Sequence, residues 1–281
     1  MKLVRYGEPG RERPGLIGSD GRLRDLSMLL PELGGAQLGR RTLQALGLLD
    51  ADRLPLAEGP ARLGCPVAGV GKVVCVGLNY ADHAREAGLA LPAEPVLFLK
   101  APSSIVGAHD AVLIPPGSQK TDWEVELGVV IGEPARHVSE EDAMHHVAGY
   151  TIVNDVSERE YQLERGGQWD KGKGCDSFCP IGPWLVTADE VADPHALPLW
   201  LEVNGRRVQN SSTDQLIFRI PHLISYISRF MTLLPGDVIS TGTPAGVGLG
   251  QKPEPWYLKP GDEMRLGIEG LGEQRQLCRA G

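Results

Sequence analysis

Apolar residues in this chain come mostly in short runs, and turn-forming residues separate them. KLVRY and RPGLIG predict two short strands. SDG at Ser19–Gly21 predicts a tight turn, and RLRDL a third strand. RRTLQALGLLDA places Leu43, Leu46, Leu48 and Leu49 at helical spacing. LPLAEGPARLGCP then reads as a linker. KVVCVGL is a continuous apolar run, the mark of a buried strand. NYADHAREAG predicts a short helix with Asn79 as N-cap and Gly88 as its stop. PVLFLK, AVLIP, WEVELGVVIG and GYTIVNDV are strand-like, and EEDAMHHV and HLISYISRFM are the helix candidates. LWLEVNGRRVQ predicts a hairpin about Asn204-Gly205, and DVIST and EMRLGIE predict late strands. Strands outnumber helices and do not alternate with them as βαβ units would, so the expected class is strand-rich α+β. The linker suggests a small amino-terminal domain over 1–68 and a larger one over 69–281.

Composition narrows this picture. The 281 residues suit one or two domains, and Gly 36 with Pro 22 fits a turn-rich fold. Net charge is −8, which argues against a nucleic-acid or anionic-membrane surface. Residues 1–68 carry a net +2 and the rest a net −10, so acidity concentrates where cation-binding carboxylates belong. No apolar run approaches the ~18 residues of a membrane span. MKLVRYGEPG lacks the apolar stretch of a signal peptide, and five cysteines are too few and odd in number for a disulfide framework. A reducing cytoplasm is the expected location.

Four segments could carry chemistry. In TDWEVELGVV, Glu124 and Glu126 share one face of a strand while Trp123, Val125 and Leu127 take the other. Side-by-side carboxylates repel unless a cation lies between them. The alternative is a solvated acidic face. Asp155, ending the apolar YTIVND beside a charged, Gly-bearing loop, would complete a three-carboxylate set. Such a set suits a hard cation: Mg²⁺, Mn²⁺ or Ca²⁺. In NYADHAREAG, His83 and Glu86 lie three apart on one helix face, as a base and its orienting carboxylate would, or as an ordinary surface pair. WDKGKGCDSFCPIGP puts Lys171 and Lys173 in a Gly-rich loop, where a cation could stabilise an oxyanion or simply be solvated. Cys175 and Cys179 have no second pair for a zinc site and read as small, largely buried thiols. STGTPAGVG is neither a P-loop nor a dinucleotide fingerprint, but its glycines and Thr243 could approach a ligand.

Taken in order, VGLNYADHAREAG, PVLFLKAPSS, DWEVELGVVIG, YTIVNDVSEREYQ, WDKGKGCDSFCPIGPW and STGTPAGVG resemble the fumarylacetoacetate hydrolase family over nearly all of residues 70–281. The leading MKLVRYGEPGRERPGLI with RDLS is similar to the small first domain of a bacterial branch that resembles 2,4-diketo-3-deoxy-L-fuconate hydrolases. The resemblance implies a mixed β-sandwich roll in a homodimer. It implies Mg²⁺ or Mn²⁺ held by Glu124, Glu126 and Asp155, a His83–Glu86 dyad on a lid helix, and Lys173 as the loop lysine. Arg159, Gln162 and Thr243 match its substrate contacts. The implied reaction is hydrolysis of a carbon–carbon bond in an acylpyruvate-type 2,4-dioxo acid, a deoxy sugar acid in this branch, to pyruvate and a second acid. Oxaloacetate decarboxylation or dienoate isomerisation on the same metal site are the alternatives within the fold. A metal-bearing binding module without turnover is the alternative outside catalysis. The partner in every catalytic case is a small 2-oxo acid.

Overall fold

The computed structural model describes residues 1–59, 61–88 and 90–281. The strand-like runs assemble into two sheets and a two-stranded ribbon. The larger sheet has ten strands. Its order is Leu23–Asp25, Arg13–Ile17, Lys2–Tyr6, Cys179–Thr187, Val147–Asn154, Val125–Ile131, Val238–Ser240, Val73–Gly77 and Val96–Lys100. Ile105–Gly107 lies beside Cys179–Thr187. The sheet is mixed, because Val238–Ser240 runs parallel to Val73–Gly77 and antiparallel to Val125–Ile131. The second sheet orders Arg206–Ser212, Pro198–Val203, Glu263–Ile268, Gly272–Ala280 and Val112–Ile114. Ser157–Glu158 pairs with Thr121–Asp122 as the ribbon. This is a strand-rich α+β architecture.

Alternation along each strand explains how the large sheet is covered on both sides. Val125, Leu127, Val129 and Ile131 point into a core shared with Leu199, Leu201 and Leu266 of the second sheet and Ile224 of the helix Ile220–Ser228. Val130 and Val153 point the other way, into a second core with Leu3, Leu26, Leu38 and Val238. Residues 1–68 supply three strands at one edge of this sheet, joined through Lys2↔Val186 and Leu3↔Leu185. Arg62, from the linker-like stretch, reaches Asp110 with Nε at 2.7 Å and Nη2 at 2.5 Å. That stretch includes Pro60, which lies outside the described residues, and its Leu56 and Leu63 bridge to Arg24 and Tyr6.

Some local expectations need correction. Two long strands, Cys179–Thr187 and Gly272–Ala280, do not stand out in the sequence. Pro180, Gly182 and Pro183 punctuate the first, and its register with Val147–Asn154 shifts between Tyr150 and Ile152. The second buries Gln274 and Gln276, so its inward face does not look apolar. EEDAMHHV forms only the single turn Ala143–His146. The first helix is Arg40–Gly47, with Leu46 buried and Leu48 beyond its end, 88% exposed. No helix among the described residues is long and apolar enough to cross a membrane.

Candidate active site

The site begins where two neighbouring strands of the large sheet run out of hydrophobic partners. Glu126 is paired with Val153 across Val125–Ile131 and Val147–Asn154, and the Asp155 N–H continues that ladder to the Glu124 carbonyl at 2.9 Å. Alternation therefore sends Glu124, Glu126 and Asp155 to one face of the sheet. All three are buried, and one carboxylate oxygen of each lies within 4.8 Å of the others. The open, solvated acidic face is not what forms here.

Buried cations thread this cluster. Lys173 Nζ donates to Glu124 Oε2 and Asp155 Oδ2, both at 2.8 Å. Lys173 ends the turn of helix Asp170–Lys173, so the predicted loop is a short helix with its lysine turned inward. Arg159 Nη2 donates to Glu124 Oε1 at 2.6 Å, Nε to Asp122 Oδ2 at 2.7 Å, and Nη1 to Gln162 Oε1 at 2.9 Å. The last bond fixes the Gln162 amide with its NH₂ left to offer a ligand. Lys100 Nζ donates to Asp155 Oδ1 at 2.6 Å and to the Val156 carbonyl at 3.0 Å. Glu126 differs: its Oε2 accepts from Ser240 Oγ at 2.6 Å and from the Gly242 N–H at 2.9 Å, both neutral groups. Gly242 has φ +101°, and a Cβ there would meet Asn79 Cβ and the Val76 carbonyl at 2.9 Å. Only glycine brings that N–H to Glu126.

Charge follows from these contacts. Burial would raise the Glu124 carboxyl, but Lys173 and Arg159 outweigh it and bring it down to about 2. Glu126 goes well above the carboxylate range, through burial first and then repulsion from Asp155 and Glu124. The ammonium of Lys173 is held charged by Asp155 and Glu124 against the effect of burial. Asp122, Glu124, Glu126 and Asp155 face Lys100, Lys173 and Arg159, so the cluster is one positive charge short, and the shortfall sits at Glu126. An all-oxygen donor set with that deficit fits a hard divalent cation.

Above the carboxylates lies the seven-residue helix Ala81–Ala87. Its approach is fixed by Asn79, which is no N-cap. The Asn79 side chain donates to the carbonyls of Thr241 at 2.8 Å and Phe218 at 3.1 Å and accepts from the Phe218 N–H at 2.7 Å. Tyr80 is the capping residue, and Gly88 ends the helix in the left-handed region as expected. His83 Nδ1 lies 3.3 Å from Glu86 Oε2, and the Gly246 N–H donates to both Glu86 oxygens at 3.1 Å. Burial would raise the Glu86 carboxyl, but the bonds from His83 and Gly246 and the charge of Lys252 hold it below its ordinary value. Asp82 Oδ2 accepts from Ser211 Oγ at 2.6 Å and anchors the same helix.

His83, Glu86, Glu124, Glu126, Arg159, Gln162, Lys173 and Thr243 all line one cavity of about 380 Å³. Asp155 sits beneath them, fully buried. The Thr243 hydroxyl is already engaged: it donates to the Val125 carbonyl at 3.0 Å and accepts from Gln209 Nε2 at 2.8 Å. Lys171 stays exposed and bonds the Arg165 carbonyl. Cys175 is half-buried and Cys179 buried, both as free thiols.

With this geometry the family can be tested. Residues 72–278 match the model of the fumarylacetoacetate (FAA) hydrolase C-terminal family. The chain belongs to the fumarylacetoacetate hydrolase family. Members of the family are enzymes. A curated relative from Burkholderia multivorans, provisionally named a hydrolase, is 61% identical over 280 residues, covering 100% of this chain and 99% of its own. Among solved structures, fumarylacetoacetate hydrolase from psychrophilic Exiguobacterium antarcticum is 39% identical, with TM-score 0.86 and both chains fully covered. Maleylpyruvate hydrolase from Sphingobium sp. SYK-6, solved with manganese(II) and pyruvate, is 32% identical with TM-score 0.81 over both full chains. A 2-hydroxyhepta-2,4-diene-1,7-dioate isomerase from Mycobacterium marinum is 34% identical with TM-score 0.78, covering 100% of this chain and 98% of its own.

Sequence reasoning missed several members of the site. Lys100 closes the apolar run PVLFLK, and a lysine ending an apolar run is the one signal the sequence offers; in the strand Val96–Lys100 it is the one residue that is buried. Asp122, fully buried, accepts from the N–H groups of Gly248 at 2.6 Å and Leu249 at 3.0 Å besides Arg159. Nothing in TDWEVE marks it apart from the two glutamates. Ser240 precedes the late Gly-Thr loop, where the glycines and Thr243 are the legible residues.

Proposed function

We propose that this protein is a Mg²⁺- or Mn²⁺-dependent hydrolase that cleaves the C3–C4 bond of an acylpyruvate-type 2,4-dioxo acid, giving pyruvate and a second carboxylic acid. The observation that carries the reading is one cavity with two chemically distinct halves: a buried carboxylate cluster one cation short, and a His–Glu pair facing it. Glu124, Glu126 and Asp155 would hold the cation, which when bound supplies Lewis-acid charge for the oxygens of the dioxo-acid head. The structure of maleylpyruvate hydrolase with manganese(II) and pyruvate supports this pairing of metal and product.

The remaining steps fall to side chains. The Gln162 amide and the Arg159 guanidinium, locked to each other, orient the head of the substrate. His83, oriented by Glu86, takes a proton from the water that attacks the C4 carbonyl. Lys173 places an ammonium at the same end of the cavity for the developing oxyanion. The electron pair of the C3–C4 bond leaves on the three-carbon fragment, and protonation at C3 releases pyruvate.

Oxaloacetate decarboxylation and dienoate isomerisation need the carboxylate cluster but no attacking water. The isomerase among the structural neighbours keeps the second reading in play. A binding module without turnover has no use for the His83–Glu86 pair. The deciding experiment supplies 2,4-dioxopentanoate, oxaloacetate and a dienedioate with Mg²⁺ or Mn²⁺ and analyses the products. Hydrolysis gives pyruvate and acetate in equal amounts and stops in excess chelator. Pyruvate and carbon dioxide from oxaloacetate with 2,4-dioxopentanoate left intact, or an isomer without fragments, would overturn the hydrolase reading.

A further inference from the structure

Beyond the carboxylates, the cavity turns apolar, and the change is abrupt. Lys173 Nζ lies 5.0 Å from the centre of the Phe98 ring. Phe98 meets Trp169 edge to face, with centroids 5.4 Å apart and planes at 61°. Leu163 and Leu249 continue the lining. This wall is built, not incidental. Trp169 and Lys173 share one helical turn, since the Lys173 N–H donates to the Trp169 carbonyl at 3.1 Å. Asp170 ties that turn to the strand Val96–Lys100 by accepting from the Leu99 N–H at 3.1 Å. The indole lies against the end of strand Val73–Gly77, where a Cβ on Gly77 would come within 2.5 Å of the ring. Glycine at 77 is what lets the indole sit there.

Resting on the hydrolase reading above, we propose that this wall is the acyl-group subsite and that it selects a flat, conjugated acyl group without hydroxyls. A dioxo-acid head bound at Lys173, Arg159 and Gln162 places its acyl substituent along Phe98 and Trp169. Apart from the indole N–H, the side chains of that wall offer no hydrogen-bonding group. Opposite, Glu86 is held by His83 and Gly246, while Lys252, which also lines the cavity, is exposed. Hydroxyls on an acyl chain lying along the wall would lose water and gain no partner from its side chains beyond the indole N–H. A planar π-system would stack on the aromatic faces. This departs from the deoxy sugar acid that the branch resemblance implies.

The test compares 2,4-dioxo-4-phenylbutanoate with 2,4-dioxo-5,6-dihydroxyhexanoate, using the Mn²⁺-loaded protein. The phenyl ketone should have the higher kcat/KM by about 10- to 100-fold, the range that a mispaired hydroxyl or a filled apolar pocket commands. Trp169→Ala should shrink this ratio to within a few-fold, mainly through KM for the phenyl ketone. Gly77→Val, which displaces the indole from the strand side, should do the same, and Trp169→Phe should restore part of the preference. In parallel, calorimetry measures binding of 2-oxo-4-phenylbutanoate and 2-oxo-4,5-dihydroxypentanoate, which have no C4 ketone to hydrolyse. Tighter phenyl binding that disappears in Trp169→Ala upholds the wall even if no dioxo acid is cleaved, in which case only the hydrolase reading fails. Equal binding of the two ligands, equal turnover, or a preference untouched by Trp169→Ala overturns the subsite.

Discussion

The two halves of the cavity are held in opposite ways. The carboxylate floor is dry and over-determined. Glu124, Glu126, Asp155, Lys100 and Lys173 are each 5% exposed or less, and each of their charged groups has at least two partners. The helix that carries His83 and Glu86 is short, and the two side chains keep 17% and 25% of their surface. Their mutual contact is a single 3.3 Å approach. The difference matches the tasks that the proposed reaction sets. A cation site must be preorganised, because carboxylates gathered without support repel. A base that meets water and substrate must sit where both can arrive, on an element stable enough to aim it and light enough to move.

The sharpest way to break this contrast lies within the floor itself. Asp155→Ala and Glu126→Gln should both abolish metal binding and turnover. Their effects on the metal-free fold should diverge. Asp155→Ala strips Lys100 and Lys173 of a buried partner and should lower unfolding free energy by about 3–5 kcal/mol. Glu126→Gln keeps an acceptor for Ser240 and Gly242, and burial with repulsion from Asp155 and Glu124 already disfavours the charge that it removes, so stability should hold or rise. The simple expectation that deleting any of the three carboxylates relieves repulsion therefore applies to one of them. Urea unfolding of both variants in excess chelator checks this. Equal losses would mean that the cations do not distinguish the carboxylates.

His83→Ala addresses the other half. Turnover of 2,4-dioxopentanoate should fall by ~10²–10⁴-fold, the usual worth of a positioned base. Mn²⁺ affinity, and that of oxalate as an unreactive ligand, should stay within a few-fold, because His83 is no ligand to either. If hydrolysis survives, or if affinity collapses with it, the histidine shapes the floor instead of activating water. Stability should barely change, since a partly exposed side chain with one long contact contributes little.

The contrast also explains what the sequence could reveal. Glu124, Glu126 and Asp155 were legible because strand alternation and a strand end place them without reference to anything distant. His83 and Glu86 were legible as helix neighbours. Lys100 and Ser240 were not, because each reaches the site from a segment whose neighbours follow only from sheet order: Lys100 bonds Asp155, and Ser240 bonds Glu126 across 114 positions of sequence. Asp122 lies beside the two glutamates, and nothing local tells a carboxylate that binds Arg159 from one that faces a cation. The same limit hid Trp169, which becomes a wall only when Gly77 lies beneath it. Single motifs could not decide between solvated charges and a site. The ordered set of motifs resembled a family, and the match over residues 72–278 places the chain in it.

The finest test concerns Glu86, where two accounts of the helix Ala81–Ala87 part company. As the carboxylate that orients His83 and faces the imidazolium formed when it takes a proton, Glu86 acts by its charge. As a latch, it acts by accepting the Gly246 N–H at 3.1 Å. Glu86→Gln removes the charge and keeps an oxygen for Gly246, whereas Glu86→Ala removes both. If charge is what matters, Glu86→Gln should cost about two- to fivefold in kcat, the ~0.2–1 kcal/mol of an accessible ion pair, and Glu86→Ala only modestly more. KM should stay nearly constant in both variants. If the latch dominates, Glu86→Gln should match the wild type in kcat, while Glu86→Ala raises KM. A Gln variant with full rate would remove the charge of Glu86 from the chemistry and leave His83 to act alone.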